Sequence, residues 1–217
     1  MSQSPVKMSQ MEKMPFEYIG GSPALDFVNT VSWLDNGAPD PKTESVYEFD
    51  DIIRWAEGGE VLSKSEARAM RRLAKEDPRR AEQELVAALH LRRTLRDLFS
   101  TLANGDKPDG SLLNAFNRAV CNGMKSVELV PGPTGAFTWR FGDCRVDLGT
   151  IYRLVAWEAA QLATSERLAS LRGCGREDCG WIFLDESRRR NRRWCQMEVC
   201  GAREKSKRHY EKVKRDR

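Results

Sequence analysis

The chain has 217 residues, 40% of them hydrophobic, with 36 Lys and Arg against 32 Asp and Glu. This length suits one ordinary domain with a small appendage, and the hydrophobic fraction is sufficient for a buried core. No apolar run approaches the roughly 20 residues that a membrane-spanning helix needs, so we expect no membrane partner. Met1 to Lys13 is polar and lacks the apolar segment of a secretory signal peptide, which favours a cytoplasmic location.

The beginning of the chain predicts a flexible leader and then a buried polar cluster. Residues 1–15 are the leader, and Phe16 to Gly21 suits a short extended segment. Asp26, Asn29 and Thr30 follow within an apolar run, where polar side chains need partners if they are buried. Two hypotheses are open: these residues form hydrogen bonds that cap a helix near Thr30, or they line a ligand pocket.

Helical signals then follow in order. Apolar residues recur at helical spacing from Phe49 to Ala56, and Gly58-Gly59 ends that helix. The pattern Ser63-Lys-Ser-Glu66 is a capping box that begins a second helix. Asp77-Pro78 places an N-cap before a proline and predicts a third, long helix, which Asn104-Gly105 ends. A shorter stripe, from Leu112 to Val120 and including Leu113, predicts a fourth.

The periodicity changes after these helices. Val127–Val130 and Phe137–Phe141 are rich in β-forming residues and flank a Pro-Gly-Pro-Thr-Gly turn, which predicts a β-hairpin. A final helix is expected from about Asp147 to Leu171, joined to Cys174 by only two residues. The sequence therefore predicts a mainly α fold: a helical N-terminal domain with its own core and one β-hairpin, plus a small C-terminal module packed rigidly against it.

No catalytic motif appears along the chain. It lacks a Walker loop, a Gly-x-Gly-x-x-Gly fingerprint and a His-Glu-x-x-His pair. Only two histidines are present, and the carboxylates form no pair that spacing singles out. We therefore expect no enzyme.

Four cysteines near the C-terminus form two short pairs, Cys174-x4-Cys179 and Cys195-x4-Cys200, separated by fifteen residues. Two such pairs can close a tetrahedral Zn²⁺ site with four thiolate ligands. A glycine follows each pair, and a positive φ at that position would turn backbone N–H groups towards the sulfurs. The alternative is two disulfides, which a reducing cytosol disfavours. Four thiolates leave no open coordination position, so the site is expected to be structural.

The positive charge of the chain is concentrated around these cysteines. Residues 174–217 hold 14 Lys and Arg against 8 Asp and Glu, a net charge of +6, whereas the remainder has a net charge of −2. The loop between the Cys pairs and the helix expected from Ala202 to Arg217 supply the candidate contacts to nucleic acid: Arg188, Arg189, Arg190, Arg192, Arg193, Arg203, Lys205, Lys207 and Arg208. Guanidinium groups bind phosphate in a bidentate manner and also read guanine edges.

The apolar stretch from Trp181 to Leu184 predicts a short strand. Trp181 and Phe183 would lie on one face of it, with Ile182 and Leu184 on the other. The aromatic side chains are expected to pack against the metal site and the helical domain. The alternative is that they stack on bases.

These motifs resemble a known family. Cys-Gly-Trp-Ile-Phe-Leu-Asp at 179–185, Ser187, Arg-Arg-Trp-Cys at 192–195, and Cys-Gly-Ala-Arg at 200–203 with Lys205 resemble the CGNR-type zinc finger. Ala-Leu-Asp-Phe-Val-Asn-Thr at 24–30 resembles the opening of the ABATE domain, which precedes that finger in the family. The resemblance implies an ABATE-like domain at 16–172 and a finger with a basic helix at 173–217. Ala202 stands where the family has Asn, whereas Arg203 is kept.

The resemblance also implies a function, since the family is described as stress-induced bacterial transcriptional regulators. We expect a zinc-dependent, DNA-binding regulator whose N-terminal domain senses a small-molecule effector or forms a homodimer. Two other hypotheses are open. The finger could bind an acidic protein partner, or its zinc thiolates could act as a redox sensor that releases the metal on oxidation.

Overall fold

A computed structural model describes residues 15–132, 135–141 and 146–215, and these residues confirm the mainly α fold. The predicted leader up to residue 14, part of the hairpin turn and the last two residues lie outside the described part. Seven α-helices are present in the described residues: α1 (Pro23–Val28), α2 (Phe49–Gly58), α3 (Lys64–Glu76), α4 (Pro78–Ala103), α5 (Gly110–Gly123), α6 (Thr150–Ala163) and α7 (Ala202–Arg215). The described strands form two antiparallel pairs: β1 (Val127–Pro131) with β2 (Phe137–Phe141), and β3 (Leu171–Gly173) with β4 (Ile182–Leu184).

Local sequence signals set most helix ends. Glu66 accepts a hydrogen bond from the Ser63 amide at 2.7 Å and Ser63 accepts one from the Glu66 amide, which confirms the capping box of α3. Asp77 accepts from the Arg80 amide at 2.9 Å and caps α4, as predicted. Gly105, just beyond α4, has a φ of +81° that a residue with a side chain rarely adopts, and the helix ends there.

Two helix predictions were wrong in part. The final helix stops at Ala163 instead of reaching Leu171, and Ser165 already has an extended backbone, with φ of −95° and ψ of 158°. A 3₁₀ turn and the short strand β3 replace the rest of the expected helix. In α5 the buried face is narrower than the apolar pattern suggests, since Leu113 is exposed.

The hydrophobic core surrounds α1. Every residue from Ala24 to Val28 is buried, so this short helix has no solvent face. It contacts α4, α6 and β4, while α2 and α5 pack against α4 and α6 from outside. Burial of this kind contributes roughly 25 cal/mol per Å² of apolar surface and is the main source of stability.

The predicted β-hairpin is present beside α6. In this hairpin Leu129 pairs with Trp139 on one face, and Glu128 pairs with Arg140 on the other face. Trp139 makes an edge-to-face contact with Trp157 of α6 at a centroid distance of 6.3 Å, which attaches the hairpin to the helical core.

The strand β4 is buried on both faces. Ile182 and Leu184 belong to the main core, whereas Phe183 packs among the cysteines on the opposite side. This confirms the alternation predicted from the sequence. The Asn29 side chain accepts a hydrogen bond from the Ile182 amide at 3.0 Å and donates one to its carbonyl at 2.8 Å. One side chain at the end of α1 thus satisfies both backbone groups of Ile182.

The main core joins the helices to the strands that follow them. Most of its buried residues lie between Ala24 and Leu162, and Leu171, Ile182 and Leu184 complete the cluster around α1. The Leu184 amide also donates to the Gly20 carbonyl at 2.9 Å. The C-terminal module and the helices are therefore one packed body, as the absence of a linker predicted. Whether the helical domain folds without the finger stays a prediction.

Candidate metal centre and basic surface

The four predicted ligands converge on one point. The sulfur atoms of Cys174, Cys179, Cys195 and Cys200 all lie within 4.8 Å of one another. Three of the sulfur–sulfur distances are 3.7, 3.4 and 3.7 Å. A tetrahedron with metal–sulfur bonds of about 2.3 Å has edges of about 3.8 Å. A disulfide would need about 2.05 Å, so the spacing fits four ligands of one metal ion and excludes disulfides between these cysteines.

Backbone N–H groups around the cysteines stabilise negative charge on the sulfur atoms. The Cys195 amide donates to the Cys174 sulfur at 3.5 Å. The Arg176 and Trp181 amides donate to the sulfurs of Cys174 and Cys179, respectively, and each bond favours the thiolate. Donors of this kind orient metal ligands from the second layer around a site.

The two glycines after the Cys pairs serve different purposes. Gly180 has a φ of +64°, as predicted, and a Cβ there would lie 2.6 Å from the Trp33 carbonyl oxygen. Gly201 does not have the positive φ that was expected of it. It closes a π-helical turn, where a Cβ would lie 2.5 Å from the Met197 sulfur. A side chain at position 201 would therefore displace the exposed end of Met197, and the backbone angle there does not call for glycine.

The thiol chemistry also fits a cation at the centre. Hydrogen bonds from the Cys179 and Cys195 thiols lower the pKa of Cys174, and the same bonds raise the pKa of Cys179 and Cys195. These three crowded thiols therefore oppose a common ionised state when no cation is bound. A divalent metal ion supplies the opposing charge that makes four thiolates compatible.

The arginine-rich loop is anchored by Asp185, which the sequence did not single out. This buried carboxylate accepts hydrogen bonds from the Ser187 amide and hydroxyl and from the Arg192 amide, and they hold the pKa of Asp185 below its usual range. The loop between Ser187 and Arg192 is therefore closed at its base.

Arg192 faces inwards from this loop. Its guanidinium stacks on Phe183 at 4.3 Å from the ring centroid and donates to the carbonyls of Trp194 and Cys195. It therefore supports the segment that carries a metal ligand. Arg193 lies over the Trp194 ring at 5.5 Å, and this tryptophan packs against the cysteine cluster.

The other predicted nucleic-acid contacts lie at the surface. Arg188, Arg189 and Arg190 are exposed at the tip of the loop. No residue of α7 is buried, so Arg203, Lys205, Lys207 and Arg208 are all accessible to a partner. The exposed basic residues of the loop and of α7 are together called the basic surface below.

The three residues of the predicted ligand pocket do not share one environment in the structure. Asp26 accepts a hydrogen bond from the Gly20 amide at 2.7 Å, and burial raises the pKa of Asp26 to about 6. The Thr30 hydroxyl donates to the Phe27 carbonyl and accepts from Arg92, whose guanidinium also pairs with Glu44. Asn29 and Thr30 line a cleft of about 490 Å³ beside the metal centre, and Asp26 does not.

Comparison with known families gives two matches. Residues 21–166 match the ABATE family, described as "Putative stress-induced transcription regulator". The chain belongs to the ABATE family. Residues 170–213 match the CGNR zinc finger, so the four-sulfur centre lies inside a family-defined finger. Neither description names a catalytic activity, and no curated protein matches the chain.

Among the described residues of this ABATE chain, no helix combines the length and the apolar character needed to cross a bilayer. The boundary between the ABATE part and the finger, which the sequence analysis places after residue 172, stays a prediction. The finger match begins at residue 170, and its strands complete the ABATE core.

The first prediction concerns metal content. We expect one zinc ion per chain by elemental analysis, and we expect Cys195→Ser to lose it, because the substitution removes a thiolate from a closed set of four. Far-ultraviolet circular dichroism should then show less helix, since metal binding and folding of a small module are linked. Cys121→Ser is the matched control, because Cys121 is exposed and lies outside the cluster. Full zinc content in Cys195→Ser would contradict the assignment.

The second prediction concerns Asp26. Its folded pKa of about 6 lies above the ordinary value of 3.8. The folded state therefore holds the proton more tightly than the unfolded state does. The stabilisation from this group is complete below the ordinary pKa and is lost as the pH rises through about 6.

Asp26→Asn should remove this pH-dependent loss of stability, because the Asn side chain does not ionise. We expect the variant to exceed the native protein in free energy of unfolding by up to about 2 to 3 kcal/mol near neutral pH. The gain should shrink as the pH falls towards about 5, as measured by urea unfolding across that range. Asp35→Asn, at an exposed position, is the control. A difference between Asp26→Asn and the native protein that does not change with pH would refute the proposed cause.

Proposed function

We propose that this ABATE protein is a zinc-dependent DNA-binding regulator whose finger carries the DNA contacts. Four sulfurs at tetrahedral spacing favour Zn²⁺, which binds thiolates without redox chemistry, and a reducing cytosol would keep the cysteines in the thiol form that binds it. The family description supports regulation of transcription. The observation that carries the DNA proposal is α7, a basic helix with no buried residue.

Because no residue of α7 is buried, packing against the core does not explain this helix. From Ala202 to Arg215, α7 holds seven Lys and Arg against two Asp and Glu, a net charge of +5. Inside the protein α7 packs mainly against the π-helical turn that holds Cys200, and Lys207 forms an exposed ion pair with Glu177 at 3.2 Å. Exposed ion pairs of this kind stabilise little. The metal therefore fixes the direction of a helix whose sides remain open to a partner.

The arginine loop extends the same surface. Asp185 closes its base, so Arg188, Arg189 and Arg190 are presented from a constrained backbone. Less conformational freedom is lost when a constrained loop binds phosphate than when a free chain does. Arg192 is assigned to the support of the finger, because its guanidinium is already bonded to two carbonyls.

The two other hypotheses receive less support. A redox sensor needs accessible thiolates, yet Cys179, Cys195 and Cys200 are each at most 3% exposed, which leaves Cys174 as the one partly accessible ligand. An acidic protein partner would use the same basic surface, and the assay below separates it from DNA. The homodimer stays a prediction.

The third prediction tests the basic surface. Replacing Arg188 and Arg189 with Ala should weaken binding of the zinc-loaded chain to duplexes of unrelated sequence alike. The slope of log affinity against log salt should fall by about one for each lost phosphate contact. Fluorescence anisotropy with labelled duplexes at several salt concentrations measures both quantities.

Two controls sharpen this experiment. Arg72→Ala with Arg79→Ala removes the same charge from exposed positions near the junction of α3 and α4, and it should leave the slope unchanged. Arg192→Ala should lower zinc retention, since Arg192 bonds to the carbonyl of a metal ligand. Unchanged affinity in the Arg188 and Arg189 variant, with its zinc intact, would remove these residues from the interface and favour a protein partner.

A further inference from the structure

The cleft beside the metal centre lies between the two parts of the chain. Its walls come from the segment 29–45 on the ABATE side and from residues 176–203 on the finger side. At about 490 Å³ it falls within the range of small-molecule sites, and it is too small for a folded partner. The metal ligands Cys179, Cys195 and Cys200 form part of its wall.

The lining combines apolar walls with polar groups. Leu34 and Val199 are each 39% exposed, and both line the cleft together with Trp181. Large aliphatic side chains that remain this accessible within one concavity suit the apolar body of a ligand. The hydroxyl-bearing residues Ser32 and Thr43 line it as well.

Two arginines of the lining supply donors for an anionic group. The cleft has three carboxylates and three basic side chains, and each carboxylate has a donor: Asp178 pairs with Arg176, Glu17 accepts from Gln196 at 2.7 Å, and Asp40 accepts from the Lys42 amide at 3.0 Å. In the part of the chain that the structure describes, no carboxylate pairs with Arg203, and the buried Nη1 of Arg176 has no hydrogen-bond partner. A buried donor without a partner costs free energy that an acidic group would recover.

From this geometry we propose that the cleft binds a small organic anion. The acidic group of the ligand lies between Arg176 and Arg203, and its apolar body lies between Leu34 and Val199. Arg203 stands in the first turn of α7, so an occupied cleft connects that helix to the segment 29–45 of the ABATE part. The site does not depend on whether α7 binds DNA.

The experiment uses 8-anilinonaphthalene-1-sulfonate, a fluorescent anion with an apolar body, on the zinc-loaded full chain. We expect saturable binding at one site per chain and displacement by phenylacetate or octanoate. Arg203→Gln should weaken binding about tenfold, because it removes a charge-assisted hydrogen bond. Lys205→Gln, an equal charge change on the same helix, should not.

A second pair of variants locates the apolar contact. Leu34→Ser should weaken binding, whereas Phe137→Ser should not, although Phe137 is the more exposed side chain at 68%. Zinc content is measured for each variant, so that a loss of binding is not a loss of the finger. Absence of saturable binding, equal affinity in Arg203→Gln, or loss of binding in Phe137→Ser would each overturn the proposal.

Discussion

The fold depends on one strand of three residues that two hydrophobic clusters share. Ile182 and Leu184 of β4 complete the ABATE core around α1, and Phe183 between them packs against the metal-binding cysteines. Asn29 satisfies the amide and the carbonyl of Ile182, so α1 and β4 are held by two buried hydrogen bonds. Leaving either backbone group without a partner would cost about 1 to 3 kcal/mol.

This shared strand couples the metal to the ABATE helices. Cys179 lies three residues before Ile182, and its carbonyl accepts a hydrogen bond from the Trp33 amide at 3.1 Å. Trp181 donates from its indole nitrogen to the Val31 carbonyl at 3.1 Å. The segment after α1 therefore contacts the first Cys turn directly. A change at the metal centre, or in the cleft beside it, acts on the same backbone that positions α1.

The features that the sequence predicted correctly depend on residues that lie close together in the chain. Ser63 and Asp77 cap helices through contacts three residues away, and the Cys spacing brings ligands together through two tight turns. The alternation of Trp181 to Leu184 predicted two buried faces correctly. It could not identify the partner of each face, because Asn29 and Ile182 are 153 positions apart in the sequence.

Other features could not be inferred from local patterns. Nothing in the run of arginines distinguished Arg192 from its neighbours, yet its guanidinium contacts Phe183 and two carbonyls in the folded chain. The end of α6 was missed because neither glycine nor proline marks it: Thr164 and Ser165 follow Ala163. Asn29 and Thr30 of the predicted pocket line the cleft, but the wall that the finger contributes could not be predicted, since the two walls meet only in the folded chain.

The central claim is that the metal centre and the ABATE core share β4, and hydrogen exchange with and without metal tests it most directly. After chelation, the amides of Trp33, Ile182 and Leu184 should exchange faster, because each is bonded across the junction between the finger and α1. Amides in the middle of α4 should keep their protection. If faster exchange were confined to the two Cys turns and α7, while those three amides stayed protected, the finger and the core would be independent and the account would be wrong.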